Sequence, residues 1–544
     1  MDKDREDVDG VTDGVEIQEQ TVEDYFGKSP LDVPIPSSNA ITPTSLSSKP
    51  TTALTLPIQF ESSTSETSDS NSEPRYEPTI SFGTNDVEGL LSEVLNQTSE
   101  WSISTPGSPN RDFDEDQDDE FESEEDVMLV DEEELLARWR SKRKHFFILS
   151  SAGKPIYSRH GQEDITSAYM GVMQTIISFF AEDKDDLRSF VAGDTIFVVT
   201  CALPLYLVAI SSMGESEQQL RSQLDALHMQ IISTLTGTQL QKIFIGRDGF
   251  DLRNVLSGTE NFLNGLADSM IKGAPEVLVG AMECIKVKKQ VRELINEVLL
   301  RQKSSKLLYG MLVADGRLIS VVRPKRHSLH PPDLQLLFSM LFNTSTFRDG
   351  NEHWMPLCLP KFNSKGFLHV YVCFIRRDIA VVLVSAEKEG FFEMQECKQK
   401  IVQELEERGI IAMLQTTIQG GRYECSSISH AQTVEHFVFK SRQYVQYTMP
   451  NFPARYSKPA ARRKIMTIYQ QLHGLVHGKG SLQKAAQLSC STSEALAWIA
   501  PTFEFYCVAQ AGTSKASLAK AASIIVSWVK RKEEDLFIIG GASF

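Results

Sequence analysis

The stretch KHFFILSSAGKPIYSRHG, residues 144–161, contains the pattern that decides the fold. HFFILS (145–150) and KPIYSR (154–159) are short runs rich in apolar and aromatic side chains, and SAG (151–153) separates them. Two such runs joined by a few residues that include glycine predict a β-hairpin. We expect a helix after the hairpin, over about Ile165–Phe180.

Three strands and a second helix are predicted downstream. The helix has a candidate capping box, in which Ser216 precedes the first turn and Gln219 follows three residues later. Its apolar positions are three or four residues apart and therefore share one face: Leu220, Leu224, Leu227, Ile231 and Leu235. The strands are expected in SFVAG (189–193), DTIFVVTCA (194–202) and LYLVAISS (205–212).

The uncharged segment Thr195–Gly214 has twenty residues, enough for a helix that spans a bilayer. Pro204 interrupts it near the middle, and both halves contain β-branched residues. Two buried strands therefore fit better than a membrane span.

The order strand, strand, helix, three strands, helix occurs twice more. The second copy begins with the hairpin 307–324 and includes a helix over Phe391–Arg408. The third copy begins at HFVFKS (436–441), ends with a helix over Ser514–Lys532, and lacks one strand. One antiparallel sheet with helices packed on it is expected for each copy, so the fold class is α+β. The predicted domains are residues 140–272, 304–410 and 433–540.

Five segments carry a family resemblance: 144–161, MGVMQTIISFF (170–180), LTGTQLQKIF (235–244), DLRNVLSGTENFL (251–263) and HWMPLCLPKFNSKGFLHVYV (353–372). The element order resembles the longin/roadblock fold, and the residues resemble the SAND family of vacuolar fusion proteins over most of 140–544. This resemblance implies three longin-like domains and a heterodimer with a Ccz-type longin subunit. It also implies that the pair is a guanine-nucleotide exchange factor for the Rab GTPase of late endosomes, lysosomes and vacuoles, promoting endosome maturation and fusion.

An acidic arm precedes the first domain. Residues 1–137 contain 35 acidic and 6 basic side chains, whereas the remaining residues contain 37 acidic and 49 basic ones. Long Ser, Thr, Pro, Asp and Glu tracts cannot bury enough apolar surface to offset the entropy of ordering, so we expect the arm to be disordered. Two segments with helical spacing, Val87–Leu95 and Met128–Trp139, are either transient helices or docking segments for a partner or for the folded body.

Motifs of covalent catalysis and cofactor binding are not evident. The sequence has no Walker-type phosphate loop, no G-x-S-x-G elbow and no H-E-x-x-H. His473 and His477 have the spacing of metal ligands on a helix, but without an evident third ligand they are more consistent with an ordinary surface pair. The eight cysteines show no C-x-x-C spacing and are interpreted as reduced, mostly buried thiols. We expect a protein that is not an enzyme and needs no cofactor or metal.

The helix AYMGVMQTIISFF (168–180) is apolar over most of its circumference and has no charged residue. One side can pack on its own sheet. The other side is covered either by other parts of this chain or by a partner. The resemblance favours the partner subunit and the GTPase, and the candidate contact residues are Ile156, Tyr157, Met170, Met173, Ile176 and Ile177.

The segment 436–493 contains nine Lys and Arg residues and no Asp or Glu. It is either a solvated basic face or a site for an anionic ligand. Cations at the start of a predicted helix oppose the helix dipole, so an anionic or phosphoinositide membrane surface would explain their position. Nucleic acid is the less favoured ligand, since few aromatic residues lie among the charges. The candidate membrane-binding residues are Arg455, Lys458, Arg462, Arg463 and Lys464.

These features together predict a cytoplasmic regulator that is recruited peripherally to endosome, late-endosome, lysosome or vacuole membranes. The polar start MDKDREDVDG is unlike a signal peptide. The alternative function is a passive longin-domain scaffold or tether at endosomal membranes that has no exchange activity.

Overall fold

The computed structural model describes residues 132–544 apart from residues 162, 183, 246–249, 326, 328, 344, 349–350 and 479–483. The predicted arm lies outside the described residues up to position 131, and so does the predicted helix Val87–Leu95. The part of the chain that is described forms three antiparallel sheets with the same internal strand order.

The first domain contains one five-stranded sheet in the order β2-β1-β5-β4-β3. Its strands are β1 (Lys144–Ser150), β2 (Pro155–Ser158), β3 (Ser189–Ala192), β4 (Thr195–Ala202) and β5 (Leu205–Ser211). Its helices are α1 (Glu132–Ser141), α2 (Glu163–Glu182), α3 (Glu217–Leu235), α4 (Gly237–Phe244), α5 (Arg253–Leu256) and α6 (Glu260–Lys272).

Strand β1 lies inside this sheet between β2 and β5, and both of its faces are buried. Phe146 and Ile148 point into the cluster formed with α3 and α6, while Phe147 and Leu149 point into the cluster formed with α1 and α2. Alternation of side chains along a strand, with helices on both faces of the sheet, explains the continuous apolar run in the sequence.

The predicted strands and capping box of this domain are confirmed. Ser216 Oγ accepts a hydrogen bond from Gln219 N, and Gln219 Oε1 accepts one from Ser216 N at 2.9 Å. The uncharged segment Thr195–Gly214 forms β4 and β5, which meet at Leu203–Pro204. No helix among the described residues is both long and apolar enough to cross a membrane.

The second domain follows a linker and repeats the same order, β8-β7-β11-β10-β9. The linker contains α7 (Pro275–Val279), β6 (Met282–Glu283) and α8 (Lys289–Arg301). The strands are β7 (Leu307–Ala314), β8 (Arg317–Arg323), β9 (Glu352–Leu359), β10 (Ser364–Arg376) and β11 (Ile379–Ser385). The helices are α9 (Pro331–Asn343), α10 (Pro360–Asn363), α11 (Phe391–Glu407) and α12 (Ile410–Gln419).

The third domain has the order β14-β15-β16-β12-β13. Its strands are β12 (Val434–Ser441), β13 (Gln446–Thr448), β14 (Ala485–Ser489), β15 (Ser493–Ile499) and β16 (Phe503–Gln510), and β17 (Ala542–Ser543) ends the chain. Its helices are α13 (Pro459–His477), α14 (Lys515–Arg531) and α15 (Glu533–Leu536).

The prediction that the third copy lacks a strand was wrong. Strand β14, with the sequence AAQLS, supplies it at the edge of the sheet. Alanine, glutamine and serine have weak strand propensity, and pairing with β15 along five residues overrides it.

The second and third domains exchange edge strands. Linker strand β6 pairs parallel with β13 in the third sheet, and C-terminal strand β17 pairs parallel with β8 in the second sheet. The residue after β6, Cys284, bridges Leu318 of β8. The linker therefore contacts both sheets, and the two domains hold each other through main-chain hydrogen bonds.

Arg292 on α8 lies at the centre of this exchange and is 5% exposed. Its guanidinium donates to main-chain oxygens from three separate segments: Ile285 at 2.8 Å in the linker, Ile319 at 3.2 Å in β8, and Glu534, Asp535 and Phe537 near the C-terminus. Hydrogen bonds from a charged donor are stronger than neutral ones.

The first domain docks on both of the others. Lys144 Nζ binds Glu215 at 2.7 Å, and both side chains are buried. The Gln470 side chain of α13 donates to the same carboxylate at 3.2 Å, and the Gln219 side chain donates to the main-chain oxygen of Gln470 at 2.8 Å. On the other side α6 lies against α9, where a Cβ at Gly265 would come within 2.9 Å of the Asn343 side chain.

Replacement of Arg292 by Met tests the strand exchange. The variant nearly keeps the side-chain volume and removes the guanidinium donor from five carbonyl oxygens, of which the Asp535 oxygen still accepts from Val287 N. We therefore expect the free energy of unfolding to fall by about 3 kcal/mol or more. Urea denaturation measures it. Arg301→Met on the same helix is the matched control, because Arg301 is half exposed and pairs only with surface carboxylates, and it should cost less than about 1 kcal/mol. Equal losses would contradict the role of Arg292.

Candidate functional site

Helix α2 buries one side against its own sheet. Met170, Met173 and Ile177 are 1%, 4% and 3% exposed. They pack in one cluster with Phe147 and Leu149 of β1, and Ile176 lies half-buried beside them. Three of the four contact candidates on this helix are therefore core residues of the first domain, and a partner cannot reach them while the domain is folded.

The two candidates on β2 are buried as well. Ile156 and Tyr157 are each 7% exposed. They pack in the cluster that contains α3 and α6, and the Tyr157 hydroxyl donates to Asn264 Oδ1 at 2.9 Å. Burial raises the pKa of this hydroxyl. Their position links the hairpin to α6 and leaves neither side chain for a partner.

Helix α1 clamps the buried side of α2 through Trp139. The indole ring lies 4.3 Å from the His145 ring and 4.4 Å from the Tyr169 ring, and its Nε1 donates to the His160 oxygen at 3.1 Å. Burial lowers the pKa of His145 to about 4, so the imidazole beside the indole is neutral near pH 7. The segment Met128–Trp139 was expected to be either a transient helix or a docking segment for a partner or for the folded body. Its described residues, from Glu132 onward, belong to α1, which packs on the folded body through Trp139.

Between residues 168 and 180, the other side of α2 is exposed and uncharged. Val172 and Phe179 are 59% and 64% exposed, with Thr175 between them on the same stripe. The half-buried Phe180 of α2 and the half-buried Phe190 of β3 both pack against the cluster beneath α2. We call Val172, Ile176, Phe179, Phe180 and Phe190 the α2–β3 surface.

Strand β3 forms the edge of the first sheet, so the α2–β3 surface adjoins main-chain groups on which another strand could pair. An apolar helix face beside a sheet edge is suited to binding another protein, because side chains and main chain can both contribute. The side chains of the α2–β3 surface are apolar, so they can bind a partner but offer no group for covalent chemistry. Apolar residues lie all round α2, so the sequence did not indicate which arc would remain exposed.

The basic segment is partly neutralised within the third domain. Arg455 binds Glu435 at 2.8 Å and stacks on the Tyr456 ring. Arg462 donates through Nε to the main-chain oxygen of Tyr456 at 3.2 Å, and its guanidinium lies 5.5 Å from the Phe452 ring centre. Arg455, Lys458, Arg462 and Lys464 have exposed side chains at the start of α13, and Arg463 is half exposed. The five candidates thus lie in the turn before α13 and in its first two turns.

Glu504 on β16 completes a group with His473 and His477 whose ligand atoms lie within 4.8 Å of one another. The sequence reasoning missed this third group, because β16 is distant from the histidines along the chain. Lys440 Nζ binds the carboxylate at 3.0 Å, and Arg442 lies at 3.7 Å. Although burial alone favours protonation, the hydrogen bond from His477 and the charge of Lys440 hold the pKa of Glu504 at about 2. Side-chain cations already neutralise this carboxylate, which disfavours a metal ion.

All eight cysteines are unpaired, and six of them are buried. Burial raises the thiol pKa of Cys397 to about 11, of Cys284, Cys358 and Cys425 to about 12, and of Cys507 further still. Thiols of this kind are poor nucleophiles and poor metal ligands near pH 7. The interpretation of mostly buried, reduced thiols agrees with the structure.

Models of the first, second and third longin domain of FUZ, MON1 and HPS1 match residues 144–266, 305–403 and 433–533. Over 411 residues the chain is 47% identical to vacuolar fusion protein MON1 of Yarrowia lipolytica, covering 74% of this chain and 75% of the relative. The chain belongs to the MON1 family. It is 35% identical over 412 residues to the MON1 homolog A of Gallus gallus, covering 75% of this chain and 74% of the relative. For the Homo sapiens MON1 homolog A the identity is 34% over 453 residues, with 83% and 68% covered. Three longin domains in a MON1-family chain agree with the predicted α+β fold and with the resemblance to the SAND family.

The two sides of α2 in this MON1-family chain should respond differently to a charge. Met173→Asp buries a carboxylate in the core, so we expect a loss of at least about 3 kcal/mol in the free energy of unfolding. Phe179→Asp changes an exposed side chain and should cost under about 1 kcal/mol. Chemical denaturation of each full-length variant measures both values. If Met173→Asp proved as stable as Phe179→Asp, the assignment of the two faces would be wrong.

Proposed function

We propose that this chain is one subunit of a heterodimeric guanine-nucleotide exchange factor for the Rab GTPase of late endosomes, lysosomes or vacuoles. In this proposal the chain promotes endosome maturation and fusion, and its first longin domain binds a Ccz-type longin subunit through the α2–β3 surface. The observation that carries the proposal is the exposed, uncharged stripe of Val172, Thr175 and Phe179 on α2 in a MON1-family protein.

An exchange factor does not need a centre for covalent chemistry. It accelerates nucleotide release by binding the nucleotide-free GTPase more tightly than the loaded one, and only this difference shifts the equilibrium. A difference in binding free energy of about 1.4 kcal/mol changes the equilibrium tenfold. Effective exchange therefore requires a difference several times larger between the nucleotide-free and the loaded GTPase. A platform made by two longin domains provides a larger contact area than either domain alone.

The exposed rings of the α2–β3 surface are suited to this task. Burying one Phe side chain contributes about 1.5–3 kcal/mol, and aromatic residues are enriched among those that dominate binding energies. The stripe carries no charge that would have to be desolvated. Trp139 and the core beneath α2 hold the helix in place, so the surface is formed before a partner binds.

Recruitment to membranes is assigned in this proposal to the start of α13. Lys458, Arg462 and Lys464 are exposed there, and each basic residue near an anionic membrane surface is worth about 1 kcal/mol. The contacts that Arg455 and Arg462 make within the domain hold the cluster rigid rather than removing it from the surface.

Nucleotide release with the α2 stripe altered tests the exchange proposal. The full-length chain with its longin partner should release GDP from the late-endosomal Rab, and the chain alone should not. Val172→Asp combined with Phe179→Asp should reduce the rate at least tenfold without changing the melting temperature of the chain, because these charges would have to be buried against a partner.

Phe392→Asp is the matched control, because Phe392 lies on α11 in the second domain and is 76% exposed. It should leave the rate unchanged. Full exchange by this chain alone, or an unaffected double variant, would reject the proposal. A complex that assembles on membranes without any exchange would support a passive scaffold instead.

Binding to liposomes tests the basic cluster. Replacing Lys458, Arg462 and Lys464 by Glu should weaken binding to anionic vesicles at least tenfold, and raised salt should weaken wild-type binding in the same direction. Lys515→Glu with Lys520→Glu on α14 is the control, since both residues are exposed in the same domain. Equal losses in the two variants would indicate a general charge effect and exclude a local site.

A further inference from the structure

Helix α1 precedes the part of the chain that matches the first longin domain. It ends at Ser141, and the match begins at residue 144. Among the α1 side chains whose burial the structure describes, residues 136–141, the buried one is Trp139, which is 5% exposed and packs in the cluster with Met170 and Met173 of α2. A short terminal helix with one buried anchor can open locally while the sheet stays folded.

The contacts that hold α1 lie in its last turn. Trp139 Nε1 donates to the main-chain oxygen of His160 at 3.1 Å, and Arg140 Nε donates to the Tyr169 hydroxyl at 3.1 Å. Gly161 leaves room for the indole, because a Cβ at this position would come within 2.6 Å of the ring. Opening of this single turn would therefore detach α1 from the domain.

Ser141 is the last residue of this turn and is exposed. Its Oγ donates to the main-chain oxygen of Arg138 at 2.7 Å. The residues around it are mostly cations: Arg138, Arg140, Lys142, Arg143 and Lys144. Basophilic protein kinases bind a serine that follows an arginine by three positions, because carboxylates of the kinase pair with the guanidinium. Ser141 has this spacing.

The same spacing occurs at three serines of the sequence, Ser141, Ser304 and Ser320. Ser320 is fully buried in β8. Ser304 is half-buried, and its Oγ donates to Glu393 at 2.9 Å. Of the three, Ser141 is the one that the fold leaves exposed, so the tertiary structure selects it as the accessible site.

A phosphate at Ser141 would weaken the attachment of α1 in two ways. It carries about −1.5 to −2 charges at pH 7, and the last carbonyl groups of a helix form the negative end of its dipole. It would also attract the guanidinium groups of Arg140 and Arg143, which now donate to the Tyr169 hydroxyl and, at 3.0 Å, to the main-chain oxygen of Ser212. Both effects favour the open turn.

We propose that Ser141 is a phosphorylation site for a basophilic protein kinase and that the phosphate releases α1 from the first domain. Ser141 Oγ attacks the γ-phosphorus of ATP, and an O–P bond forms while the bond from this phosphorus to the β–γ bridging oxygen breaks. ADP leaves, and the hydroxyl proton passes to a base of the kinase. Kinases bind substrates as extended segments, so the reaction takes the open turn and the phosphate then keeps it open. This proposal goes beyond the exchange activity and does not depend on it.

The modification is tested on the full-length chain with the catalytic domain of protein kinase C, ATP and Mg²⁺, followed by mass spectrometry. We expect phosphate on Ser141 and none on Ser304. Arg138→Gln should slow the reaction at Ser141 at least tenfold, whereas Arg188→Gln, an exposed arginine of the same domain, should leave it unchanged. Trp139→Ala should accelerate it at least tenfold by opening the turn. Phosphate on Ser304 without Ser141, or a Trp139→Ala chain that reacts no faster, would overturn the proposal.

The release of α1 is tested by hydrogen exchange of the full-length chain with phosphoserine genetically encoded at position 141. Amides of α1 and α2 should exchange at least tenfold faster, and those of β12 and β16 in the third domain should not change. Ser141→Ala removes the hydroxyl without adding charge and should change exchange less than threefold. Phosphoserine at exposed Ser517, in the first turn of α14, is the positional control, because a phosphate is favourable at a helix N-terminus.

The wild-type chain phosphorylated by the kinase gives the same measurement on a molecule that folded before it was modified. It covers the case in which the chain with encoded phosphoserine does not fold. Unchanged exchange of α1 in the phosphorylated chain would overturn the proposal. Helix α1 would then be a permanent part of the first domain.

Discussion

The guanidinium of Arg292 ties together the parts of the chain that define the body of this protein. It donates to main-chain oxygens of the linker, of β8 and of the C-terminal segment, and the farthest of these acceptors is 245 positions from Arg292 along the chain. A single carboxylate partner would have tied the Arg292 guanidinium to one residue of one segment. Carbonyl partners distribute the interaction over three segments, so the linker and the C-terminus stay beside the two sheets that they extend.

The exchange of β6 and β17 has consequences for the first domain. Because the second and third domains are held as a pair, they offer α3 and α6 a composite surface. The Lys144–Glu215 ion pair is buried, and it is satisfied by Ser211, Gln223 and, from the third domain, Gln470. Buried polar groups are tolerated only when their partners are in place, so this network favours one docking arrangement over others.

The first domain leaves one side of an apolar helix open to solvent. Helix α2 is covered on one side by its sheet and by Trp139, while Val172 and Phe179 on its other side face solvent. In the third domain the exposed features are basic side chains at the start of α13. An apolar surface on one domain and a cationic cluster on another suit a chain that contacts a protein partner and an anionic membrane through different domains.

The order of elements could be predicted from residue patterns, because the alternation in β1 and the three- and four-residue spacing in α3 and α11 are local properties. The same holds for the capping box at Ser216 and for the repeat of one sheet design.

The site could be predicted only as far as the helix that carries it. Met173 and Phe179 are both apolar residues of one uncharged helix, and which of them faces the sheet depends on where β1 and Trp139 lie. Strand β14 was missed because its residues have weak strand propensity and pair only when β15 is present. The exchange of β6 and β17, the Arg292 contacts and the approach of Glu504 to two histidines join residues far apart in the chain. Sequence alone determined the three α+β units and their charge distribution, since these follow from neighbouring residues. Only the tertiary structure decided which side chains are exposed, because exposure depends on what the rest of the chain covers.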